Sequence, residues 1–178
     1  MKAEQIERLA QAAANKVMGH LEGERIIPRF IDSYVMGFDR PALKMPVEAF
    51  NQRSQEIGRQ ALLLLGRLVV EKCGARFRRF KLGPLALADK GAAGRFAEQF
   101  WPKLTMQLKL SPQRATELAR QAEDYTDAER RETLFAGRVA PLLDPAPHMR
   151  DKAEHAGQKF YQALDSVASQ VAARLFVS

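Results

Sequence analysis

One cysteine and three histidines are all that this 178-residue chain holds of the side chains that most often build redox, metal and nucleophilic centres. With Cys73 alone, an internal disulfide framework is impossible, and so is a zinc site made of cysteines. Long apolar runs are also missing. The longest, Ala61 to Leu65, has five residues, and the wider ALLLLGRLVV has ten and contains Arg67. A membrane span needs about 20, so none is expected. The opening MKAEQIERLAQAAANKV has no continuous apolar stretch and does not read as a secretory signal. The simplest compartment for such a chain is the bacterial cytoplasm.

Catalytic motifs are absent as well. No G-x-S-x-G, Walker loop, G-x-G-x-x-G or H-E-x-x-H occurs, and GAAG at 91–94 is too short and lacks a preceding strand. There is no internal repeat or low-complexity tract, and no known family is recognisable in the pattern. Expected cofactors, metal ligands and catalytic residues are therefore none, and the chain reads as a non-enzyme.

What is present is an ordinary globular composition, 46% apolar and 28% charged, of a size that suits one domain, residues 1–178. Helical periodicity dominates. Ile6, Leu9, Ala13, Val17 and Leu21 predict an amphipathic helix over 3–21, with Gly23 as its stop. Pro28 opens a short helix carrying Phe30, Ile31, Tyr34 and Val35, and Asp39 to Pro46 reads as a loop. From Pro46, the positions Val47, Phe50, Ser54, Ile57, Ala61, Leu64 and Leu68 step by three and four in a heptad seam. Around Leu62 to Leu65 the helix is apolar on all sides, as the buried centre of a bundle is. This central helix is expected over 46–73, capped by Gly74. Gly58, Gly66 and Gly74 fall eight apart, which reads first as coincidence and secondly as a close approach by a neighbouring helix.

Gly83, Pro84, Gly91 and Gly94 make the next segment the most loop-like of the chain, with a short helix from Gly94 to Trp101 closed by Pro102. KLTMQLKL (103–110) alternates like a strand, for which Ala75 to Leu82 is the nearest partner. Its rival is a helix pairing Leu104 with Leu108, and helix or irregular structure is the reading taken here. Ser111-Pro112 starts a helix over 112–122, and the capping box Thr126–Glu129 starts another over about 127–139. A proline-rich loop follows at Leu142 to Pro147. From about His148 to Phe176 runs one long helix with the stripe Phe160, Leu164, Val167, Val171 and Leu175. The expected fold is an all-α bundle of about six or seven helices around the helix 46–73.

The charge is +7, and residues 51–100 carry most of the surplus, with 10 Lys/Arg against 4 Asp/Glu. Within them, Arg59, Arg67, Lys72, Arg76, Arg78, Arg79 and Lys81 face only Glu71. The densest part, Arg76, Phe77, Arg78, Arg79, Phe80 and Lys81, is expected to be exposed just past the central helix. Its cations can neutralise phosphates, and aromatic rings and guanidinium planes can stack on bases. Nucleic acid is thus the expected partner. An acidic protein or a membrane surface competes with it, and so does a solvated loop whose phenylalanines tuck into the core. No RNP, KH or zinc-finger pattern accompanies the segment.

Other constellations read more plainly. Residues 114–138, with Arg130, Arg131 and Arg138, form a helical hairpin rather than a helix-turn-helix, because the turn lacks glycine and holds Glu123, Asp124 and Asp127. His148, Asp151 and His155 share a helix face but read as surface residues, and His20 stands apart from them. Cys73, at an expected helix C-terminus, reads as a buried core thiol. Glu117, Glu123, Asp124, Glu129 and Glu132, interleaved with Arg120, Arg130 and Arg131, suit solvated ion pairs. The stripes of the two end helices are expected in the core, with homodimerisation through the Ala-rich C-terminal helix as the lesser reading. The alternative to nucleic-acid binding is a helical adaptor or regulator that binds another protein, and after it an enzyme of a helical family without a recognisable motif.

Overall fold

A computed structural model describes residues 2–23, 45–79, 88–123 and 137–176. Among them the chain is an all-α bundle without strands. The helices are α1 (Ala3–Gly23), α2 (Val47–Arg79), α3 (Ala88–Gln107), α4 (Pro112–Glu123) and α5 (Arg150–Leu175). Residues 137–142 are also helical, and a short 3-10 turn, Pro147–Met149, leads into α5. The helix expected after Pro28 and the capping box Thr126–Glu129 lie outside the described residues.

The apolar stripes explain the packing. Ile6, Ala10, Ala13, Ala14 and Val17 of α1 are fully buried, as are Ile57, Ala61 and Leu65 of α2. Phe160, Leu164, Val167 and Val171 of α5 are buried in the same continuous core. The heptad seam is therefore buried from Ile57 onward, Phe50 packs part-buried against the same core, and Val47, at its start, is exposed. As expected of a central helix, α2 packs on all four of the others. The alanines of α1 let α3 and α5 come close, and polar ties fix the α1–α3 register: Gln107 Nε2 donates to Asn15 Oδ1 at 2.6 Å, and Lys103 Nζ lies 3.6 Å from Glu7 Oε1.

Two expectations about helix ends are corrected. The central helix does not stop at Cys73 and Gly74 but continues to Arg79. An interior glycine costs about 1 kcal/mol relative to alanine, which burial of its helical neighbours offsets. Likewise, Gly91 and Gly94 do not break the chain, and Pro102 closes no helix; all three lie inside α3. The helix survives because Ala92, Phe96, Phe100 and Leu104 recur every four residues, and all are buried. Proline lacks the amide that would bond four residues back. The Thr105 hydroxyl donates to the carbonyls of Trp101 (2.9 Å) and Pro102 (3.1 Å) just beyond it.

The alternating stretch 103–110 is helical through Gln107, and the Leu108 amide donates to the Leu104 carbonyl at 3.0 Å. Leu104 is buried while Met106 is 70% exposed, so the alternation does not sort the residues into two sheet faces. The helix ends where Lys109 turns left-handed (φ 52°), with Lys109 N bonding Met106 O and Leu110 N bonding Thr105 O. This is a Schellman-type stop with lysine where glycine is usual. Two residues on, Ser111 caps α4, its Oγ accepting from the Arg114 amide at 3.2 Å, as the Ser-Pro pair predicts.

Gly66 decides how closely α3 approaches α2. A Cβ there would lie 2.6 Å from Leu104 Cδ2 and 3.3 Å from both Phe100 Cε1 and Trp101 Cζ3. Close approach, the second of the two readings of the glycine spacing, is what this position requires. At Gly74 the nearest atom, Ala93 Cβ, is an ordinary 3.8 Å away, so space there does not demand glycine. Gly66→Ala should destabilise the protein by about 1 kcal/mol in urea unfolding. Overpacking of about 1–3 kcal/mol outweighs the roughly 1 kcal/mol gained in helix propensity.

Candidate nucleic-acid interface

The basic–aromatic segment begins inside a helix. Arg76, Phe77, Arg78 and Arg79 form the C-terminal turn of α2, and Phe80 and Lys81 lie outside the described residues. The expectation of a segment past the helix end is thus corrected for its first four residues, which lie within α2. Arg76 is half-buried. Cations at such a position can support a helix independently of any ligand. The last turn of a helix carries partial negative charge, and cations there stabilise it by about 0.3–1 kcal/mol each.

The cations leading up to the cluster divide into two groups. Lys72 Nζ lies 2.9 Å from Asp165 Oδ1, tying α2 to α5. Arg67 Nε is buried 3.7 Å from Glu71 Oε1, near enough for charge attraction but too far for a good hydrogen bond. Arg59 is exposed, and among the described residues no carboxylate lies within ion-pair distance of Arg59 or Arg76. The surplus charge is therefore smaller at Arg67 and Lys72 than composition suggests, and is retained at Arg59 and Arg76. The Lys72–Asp165 pair joins residues far apart in sequence, and no local pattern announces it.

Cys73 stands one turn before Arg76 and is fully buried. Burial pushes its thiol up to about 12, and the Arg76 guanidinium offsets only part of that rise. The buried reading is right, but its cause is desolvation within the helix and not a helix terminus. In the folded protein the thiol should react with a disulfide reagent at pH 8 far more slowly than in denaturant. The same shift sets a pH dependence. The unfolded thiol ionises near 9 and the folded one near 12. This contribution to stability is complete below pH 9 and is lost as pH rises through 12.

The remaining candidates are dispersed. His148, Asp151 and His155 are all exposed, and among the described residues no three His, Cys, Asp or Glu side chains gather to hold a metal ion. Glu117 pairs with Arg114 at 2.7 Å, and Arg114 also reaches Glu56 on α2, so this carboxylate serves an ion-pair network that docks α4. Both hydrogen bonds, to Glu117 and then to Glu56, hold the Arg114 guanidinium in its charged form. Residues 124–136 of the hairpin, which include most of its turn and Arg130 and Arg131, lie outside the described residues.

The C-terminal stripe expected to serve either core or partner goes to the core, and the buried Ala153, Ala168 and Ala172 go with it. A homodimer through this helix would have to use its polar side. No helix among the described residues is long and apolar enough to cross a membrane. Compared with protein-family models, curated proteins and solved structures, the chain matches none.

Proposed function

We propose that the chain is a non-enzymatic binding protein that contacts nucleic acid through Arg76, Phe77, Arg78, Arg79, Phe80 and Lys81, in the cytoplasm where such partners are found. The observation that carries this reading is local charge imbalance. Seven cations between Arg59 and Lys81 face one anion in sequence. Partners within the fold account for Arg67 and Lys72 and leave Arg59 and Arg76 without an ion pair among the described residues. Stabilising a helix end accounts for cations in the last turn of α2, but not for Arg59, mid-helix and exposed. Because the helix terminus itself repels phosphate, binding here would come from side chains. That favours long, forked arginines that can reach past the backbone to phosphate oxygens.

The test compares wild type with a variant carrying Arg76→Ala, Arg78→Ala, Arg79→Ala and Lys81→Ala. Labelled single- and double-stranded DNA and RNA are titrated by fluorescence anisotropy, with circular dichroism to confirm the fold. The variant should bind at least about tenfold more weakly, a difference of about 1.4 kcal/mol. Equal binding by both proteins would remove the site, and no binding by folded wild type would remove the function in favour of a protein adaptor.

A further inference from the structure

We draw no further inference here: the strongest candidate, the cleft of about 380 Å³ between the turn at residues 143–145 and the start of α5, carries nothing because each charged residue lining it (Asp144, Arg150 and Glu154) is exposed and no buried polar side chain among the described residues marks a ligand in it.

Discussion

Phe100→Ala is expected to lower stability by about 3–5 kcal/mol, the cost of removing a fully buried aromatic ring and leaving a cavity. Phe100 is 0% exposed and stacks on Phe96 with ring centres 5.6 Å apart and planes 12° from parallel. It meets Trp101 edge to face, also at 5.6 Å, and lies over Gly66, where α3 packs closely on α2. The cavity would open at the contact that sets the spacing of two long helices. In a chain of this length the loss should lower the melting temperature by about 10 °C. Met106→Ala, on the same helix but 70% exposed, should stay within about 0.5 kcal/mol of wild type. A double-mutant cycle sharpens the test. Gly66→Ala should cost less when Leu104, the side chain nearest the added methyl, is also alanine. Strict additivity would mean that the approach at Gly66 is looser than described.

A steep salt dependence of nucleic-acid binding is the second large effect expected. Each phosphate neutralised on duplex DNA releases condensed counterions, so four contacts from Arg76, Arg78, Arg79 and Lys81 imply about a hundredfold loss of affinity between 50 and 200 mM salt. The fold also sets an upper bound for this segment. Lys72 is held by Asp165 and Arg67 by Glu71, so adding Arg59 brings the available cations to five. Five contacts correspond to a log–log slope of about −4.5. A steeper slope would require cations elsewhere on the molecule. Cations in the last turn of a helix stabilise it, so replacing Arg76, Arg78 and Arg79 should cost some stability, about 0.3–1 kcal/mol each at most. A variant that loses stability while wild type shows no binding would assign the cluster to the helix alone.

The bundle was legible because its stripes are long. Ile57 to Leu68 and Phe160 to Val171 keep helical spacing over several turns, and burial follows that spacing closely. Ser111-Pro112 was equally plain, since a cap is a local device. The errors share one physical cause, which is that tertiary packing overrides punctuation. Gly91, Gly94 and Pro102 each disfavour a helix by local rules, but the four-residue repeat Ala92, Phe96, Phe100, Leu104 buries enough surface to outweigh them. Gly74 misled in the same way at the end of α2. At the candidate interface the charge was legible and its placement was not. Whether Arg76 stands on a loop or on a helix depends on where α2 ends, and whether Lys72 is available depends on Asp165, 93 positions later in the chain.

The most direct test is a salt titration of binding to a labelled duplex, with wild type and the four-alanine variant measured side by side from 50 to 200 mM. Nucleic-acid binding through the end of α2 predicts a wild-type slope of about −3.6 or somewhat steeper, and a variant that is nearly flat or does not bind. A folded wild type that fails to bind at 50 mM, or two proteins with the same slope, would contradict it.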